Sequence, residues 1–119
     1  MIKITIGGCR GYNDYVAFKD HVDKCISLLK GEHSLAILSG HCSGTDMMAE
    51  RYANENGLAL EIYQAQWKKY GRAAGPIRNK QMVEASDCVI AFWDQSSKGT
   101  KSLIAYANKL GKPTYIKYI

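Results

Sequence analysis

The stretch Leu35-Ala36-Ile37-Leu38-Ser39-Gly40-His41-Cys42-Ser43-Gly44-Thr45-Asp46 holds a strand, a turn and a helix start in one run. Its opening apolar residues predict a buried strand that stops at Ser39-Gly40. After Gly44-Thr45-Asp46, the residues Met48, Ala49, Tyr52 and Ala53 recur at helical spacing. A strand, a glycine-rich turn and a helix N-terminus in that order offer an anion or sugar site, because the first helical N–H groups lack intrahelical partners. Glycine's backbone freedom would produce the same tight turn with no ligand at all.

Working outward, Ile2, Ile4 and Ile6 alternate with Lys3 and Thr5, which predicts a first strand ended by Gly7-Gly8-Cys9-Arg10-Gly11. Asn13 or Asp14 offers a cap for a helix carrying Phe18, Val22, Cys25, Ile26 and Leu29, with Gly31 as its closing residue. On the other side, Gly57 stops the second helix and Leu58–Tyr63 forms a third strand. Gln64 to Gly75 is the longest irregular piece, and Pro76 opens a short third helix with Met82, Val83 and Ala85. Cys88–Trp93 is continuously apolar, as a strand covered on both faces should be. Leu103, Ile104, Ala107 and Leu110 line a fourth helix that ends at Gly111, and Pro113–Tyr118 is the last strand. Five strands alternating with four helices predict an α/β fold: a three-layer Rossmann-like sandwich, its five-stranded parallel sheet flanked by helices, in one domain over residues 1–119.

A chain of 119 residues can bury one core, and 46% hydrophobic with 23% charged residues is ordinary for a globular protein. No apolar run approaches the roughly 20 residues of a membrane span. The chain opens directly into its first strand without a signal-peptide pattern, so the cytoplasm is expected. Cys9, Cys25, Cys42 and Cys88 include no Cys-x-x-Cys pair and read as reduced thiols. Cys9, His41 and Cys42 match no zinc spacing, and neither metal nor cofactor is expected. The net charge of +5 permits contact with phosphates of a nucleotide or of a polymer.

Polar and glycine-rich residues gather in the connections that leave the carboxyl ends of the strands, while the opposite connections are short and plain. Ligands bind at that edge in sheets of this kind. Ser97-Lys98-Gly99-Thr100 combines hydroxyls, a glycine and a cation at a helix start, the usual means of holding a phosphate, although no Walker or Gly-x-Gly-x-x-Gly spacing is present. Arg10, Arg72 and Arg78 sit in or beside these loops. Arg78 and Asn79 are expected in a first helical turn, where a cation opposes the helix dipole unless Asp46 or a ligand compensates it. Asp46 suits helix capping, ribose hydroxyls or general-base work, and Asp94 is a second carboxylate for such a role. Glu50 is expected in solvent, and Tyr12, Tyr15, Trp67, Tyr70 and Trp93 either stack on a base or anchor loops. Because Asp46 brings negative charge to its own helix start, Ser97–Thr100 is the better phosphate seat and Ser39–Asp46 the sugar-side wall.

With these loops in view, the chain resembles small members of the SLOG superfamily, in particular the YspA/YpsA-related family. The resemblance rests on Gly7–Arg10, Ser39–Asp46, Trp67–Asn79 and Ala91–Asp94 leading into Ser97–Thr100, and it spans residues 2 to about 117. It implies a nucleotide-derived ligand such as an ADP-ribose-like or NAD-related molecule. Gly8, Arg10, Gly40, Gly44, Asp46, Arg78, Asn79, Gly99 and Thr100 would form its pocket, with Ser39, Thr45, Trp67, Arg72, Gly75, Ser97 and Lys98 beside them. The superfamily includes phosphoribohydrolases with a Pro-Gly-Gly-x-Gly-Thr-x-x-Glu motif. Here Leu103 replaces the glutamate, so binding without hydrolysis is the first expectation. Hydrolysis of a nucleotide N-glycosidic or phosphate bond is the second and binding of a single-stranded nucleic acid the third. The resemblance also admits a homo-oligomer.

Overall fold

The computed structural model describes residues 1–29 and 34–119, so the expected closing residue Gly31 lies outside the described residues. Strands β1 (Ile2–Gly8), β2 (Leu35–Ser39), β3 (Ala59–Ile62), β4 (Cys88–Trp93) and β5 (Thr114–Tyr118) pair in one parallel sheet of order β3-β2-β1-β4-β5. The chain builds from β1 outward to β3, then crosses back to place β4 on the other side of β1. That reversal makes the gap between the carboxyl ends of β1 and β4 the topological switch point.

Alternation along the strands sorts the core into two faces. Ile4, Ile6, Ile37, Ile90 and Phe92 turn toward α1 (Tyr15–Ser27) and α2 (Thr45–Glu55), where Phe18 and Val22 meet Ala49 and Tyr52. The Phe18 ring stacks on Phe92 with centroids 4.9 Å apart. Val89, between Cys88 and Ile90, faces the other way, onto Met82 and Val83 of α4 (Ala74–Ala85) and Leu103 and Ala107 of α5 (Lys98–Lys109). Helices therefore cover both faces, and β4 is buried along nearly its whole length, as its unbroken apolar run requires. The fold is the expected Rossmann-like α/β sandwich.

Asp14 caps α1, its carboxylate accepting the Ala17 N–H at 3.1 Å. The long connection after β3 differs from its expected irregular form. It holds a short helix α3 (Trp67–Tyr70), a 3₁₀ turn at Gly71–Ala73 and then α4, which begins before Pro76 and runs for 12 residues. Arg78 and Asn79 consequently lie in the second turn of α4 rather than the first. Their proximity to a helix start no longer explains them. No helix among the described residues is long and apolar enough to cross a membrane.

Candidate functional site

A cavity of about 340 Å³ opens at the switch point. Gly7, Gly8, Cys9, Arg10 and Gly11 from the end of β1 form one wall, and Asp94, Ser97, Gly99 and Thr100 from the end of β4 and the start of α5 form another. Asp46, Arg78 and Asn79 line it from α2 and α4, with Met82 and Leu103 supplying apolar floor. Sites for small molecules span about 300–1,000 Å³, and this cavity falls at the lower end.

The lining includes four polar side chains that the fold has almost removed from solvent: Asp46 and Arg78 at 7% exposure, Asn79 at 6% and Thr100 at 3%. Arg78 Nη1 donates to Gly40 O at 2.6 Å and, more weakly, to Tyr63 O at 3.5 Å. Its Nε donates to Asn79 Oδ1 at 3.0 Å, and Asn79 Nδ2 donates in turn to Gly99 O at 3.2 Å. One continuous chain of hydrogen bonds thus ties the end of β2 to the first turn of α5. Gly40 is required beside it, since a Cβ there would stand 2.6 Å from Arg78 Nη1 and 2.9 Å from Asp46 Oδ2. Buried charges are costly unless paired or used. The Asp46 carboxyl is pushed up from 3.8 to about 6, chiefly by burial and against the pull of the Cys42 N–H and Arg78, with Glu50 adding to the rise. Burial overrides a neighbouring guanidinium at this position.

Asp46 does not cap its helix. Gly44 occupies the cap position with no side-chain bond, and Asp46 Oδ2 instead accepts the Cys42 N–H at 3.1 Å. The turn before α2 is sealed against β1: Thr45 donates from both its amide (3.3 Å) and its hydroxyl (2.9 Å) to Cys9 O. Ser43 Oγ donates to Arg10 O at 3.3 Å. Gly44 has φ 73°, and a Cβ on it would lie 2.2 Å from Arg10 O. Ser39 is fully buried, its hydroxyl donating to Glu50 Oε2 at 2.9 Å and lying 3.3 Å from Asp46 O. Glu50 also accepts from His41 Nδ1 at 2.9 Å, and its side chain is only 12% exposed. The expectation of a solvated Glu50 is therefore corrected: the buried Ser39 hydroxyl and the strained His41, at φ 61°, both turn to it.

The start of α5 is built in the opposite way. Ser97 caps it, its hydroxyl accepting the Thr100 N–H at 3.3 Å, while Thr100 Oγ1 lies 3.0 Å from the same oxygen. Asp94 Oδ1 accepts the Ser96 and Ser97 N–H groups, both at 2.8 Å, and these bonds hold its carboxyl below the usual range. Among the described residues, the amides of Lys98 and Gly99 find no acceptor. A Cβ on Gly99 would meet nothing within 4 Å, so this helix end stands open toward the cavity.

Other expected site residues lie elsewhere. Lys98 is exposed and does not line the cavity. Trp67 borders a separate depression of about 240 Å³ beside Gly40 and His41. Gly75 is buried under Trp67, and Arg72 is exposed on the 3₁₀ turn. Ser39, Gly40, Gly44 and Thr45 support the wall from behind rather than lining it. Gly7, Cys9, Gly11, Cys42 and Met82 line the cavity beyond the expected binding residues; their place at the end of β1, in the turns after β1 and β2 or on a buried helix face is the only sequence signal for it. Among the described residues no group of three His, Cys, Asp or Glu side chains is placed to hold a metal ion.

A parallel α/β sheet with a cavity at its switch point, lined by a buried arginine, a buried acid and an open helix start, defines a Rossmann-like domain with a candidate ligand site. The chain belongs to the YspA, cpYpsA-related SLOG family, which it matches over residues 2–70, more than half its length. It is 30% identical over 119 residues to Gene 61 protein of Mycobacterium phage D29, an alignment covering 95% of this chain and 94% of that protein. Its fold is similar to that of DNA processing protein A (DprA) from Streptococcus pneumoniae, with a TM-score of 0.74 at 20% identity. That likeness covers 98% of this chain and 50% of the other, so the chain spans about half the length of the DprA structure.

Proposed function

We propose that the switch-point cavity binds a nucleotide-derived small molecule: a nucleoside phosphate, or an ADP-ribose- or NAD-related ligand. A phosphate would accept the free amides at the start of α5, with the exposed Arg10 closing over it, and ribose hydroxyls would meet the carboxylates of Asp46 and Asp94. The observation that carries this reading is the convergence of buried Asp46, Arg78 and Asn79 on one cavity. Core packing alone gives no reason to bury two opposite charges that make no direct ion pair. Arg78 is too deeply tied into the fold for its removal to report on binding alone. Arg10 is the better probe, being exposed and without an ion pair among the described residues. Calorimetry with AMP, ADP-ribose and NAD should give saturable binding of at least one, weakened about tenfold by Arg10→Ala. Absence of saturable heat with all three would remove the proposal.

A second reading, hydrolysis of an N-glycosidic bond, is favoured by a specific contrast. Asp46 is pushed up to about 6 while Asp94 is held low, and both line the same cavity. Carboxyl groups driven apart in this way divide acid and base roles. In such a step the C–N bond breaks as Asp46 gives its proton to the departing base nitrogen, while water adds to the anomeric carbon and loses a proton to Asp94. Leu103 on the floor offers no carboxylate to assist. Release of free base from AMP that stops in Asp46→Asn would establish this reading, and no release by the wild type would dismiss it.

The third reading has a surface of its own. Trp67 and Tyr70 are 51% and 37% exposed among Lys68, Lys69 and Arg72, a set of rings and cations suited to single strands. Binding of an oligonucleotide that weakens steeply with salt would support it.

A further inference from the structure

The main cavity adjoins a second, larger hollow of about 610 Å³ on the β5 side of the sheet. Cys9, Gly11 and Asp94 border both, so the two are lobes of one depression. The second lobe differs in chemistry. Tyr12 and Tyr118 border it, Tyr12 from the Phe92 face of the sheet and Tyr118 from the Trp93 face, together with Lys117 and Ile119. Tyr12 is fixed by stacking on Phe92, with centroids 5.5 Å apart, whereas Tyr118 is 56% exposed with only a tilted Trp93 ring beside it at 6.3 Å. A fixed ring and an accessible ring bordering one hollow suit a flat aromatic group.

We infer that this second lobe is the base subsite of the proposed nucleotide site, so that the ligand runs from the α5 start across Gly11 and Asp94 to Tyr12 and Tyr118. The inference rests on the nucleotide reading given above. The first lobe sets the open α5 start beside Asp46 and Asp94, groups that suit phosphate and sugar hydroxyls. The passage to the second lobe is open: a Cβ on Gly11 would meet nothing within 4 Å, and the exposed Asp94 beside it offers its second carboxylate oxygen to ribose hydroxyls. The rival direction, toward Trp67, also adjoins the first lobe, but across a firmly held side chain. Arg78 and Cys42 form the boundary there, and the Arg78 guanidinium is held in place by Gly40 O at 2.6 Å and by Asn79. The hollow beyond it is also smaller, at about 240 Å³, with a single large ring.

Calorimetry with two probes separates the alternatives: AMP, and ribose 5-phosphate, which lacks the base. Tyr118→Ala should weaken AMP about tenfold, Tyr118→Phe should restore it, and neither should alter ribose 5-phosphate. Tyr118 is exposed, so its truncation leaves the core intact. AMP binding that is weakened by Trp67→Ala and untouched by Tyr118→Ala would overturn the base placement while preserving the nucleotide site. Wild-type protein that binds neither AMP, ADP-ribose nor NAD would overturn both.

Discussion

Two strand–glycine–helix turns, one before α2 and one before α5, read almost alike in sequence and are built for opposite purposes. Ser43-Gly44-Thr45 is packed shut: Gly44 exists because the Arg10 carbonyl leaves no room for a Cβ, and Thr45 spends its amide and hydroxyl on Cys9. Ser97-Lys98-Gly99-Thr100 is left open, with Gly99 facing empty space and two amides without acceptors among the described residues. The first turn holds the walls of the cavity together and delivers a buried acid. The second offers the positive end of a helix to whatever enters. Glycine in a βα turn is thus no mark of a ligand until its surroundings are known.

Substitutions at equivalent places in the two turns should separate these roles. The largest effect is expected for Gly44→Ala, which combines a positive φ with a backbone collision and should cost about 3 kcal/mol or more in urea unfolding. A loss below about 1 kcal/mol would mean that the turn is not sealed as described. Asp46→Asn should come next. Its folded-state carboxyl titrates at about 6 against 3.8 for the free group, so the native state holds the proton more tightly. The stabilisation that this gives is complete below 3.8 and is lost as pH rises to about 6. Removing the charge should therefore stabilise the protein by about 3 kcal/mol at pH 8 and by almost nothing at pH 3.5. Equal effects at both pH values would show that burial does not govern this group. The smallest effect is expected for Gly99→Ala, which gains helix propensity in open space and should stabilise by about 0.5 kcal/mol. A measurable destabilisation there would contradict an α5 start that faces open space.

The fold was legible because its signals are local. The unbroken apolar run of β4, the alternating isoleucines of β1 and the asymmetry between the two sets of connections all survive as expected. The α3–α4 region was not, and the reason lies in its buried stripe. Ala74, Gly75, Arg78, Asn79, Met82 and Val83 follow a helical period without a break, but the first four are small or polar, so the apolar pattern announces only the later part of the helix and not its start before Pro76. Arg78 and Asn79 drew notice for their charge and polarity, yet their hydrogen-bond chain from Gly40 to Gly99 joins residues far apart in sequence. Glu50 was misjudged for a related reason. Its partners Ser39 and His41 lie on the preceding strand end and turn, and only folding brings them to it. The second lobe needs Tyr12 and Tyr118 from opposite ends of the chain, a juxtaposition set by the pairing of β4 with both β1 and β5.

The most direct test of the open α5 start is a comparison of AMP binding to Gly99→Glu and Gly99→Ala. Both variants keep the backbone amides and place a side chain in free space, and a glutamate in the first turn suits the helix dipole, so both should fold at least as well as the wild type. A phosphate seated there predicts that Gly99→Glu binds AMP at least about tenfold more weakly than Gly99→Ala. Equal affinity in the two variants would contradict it.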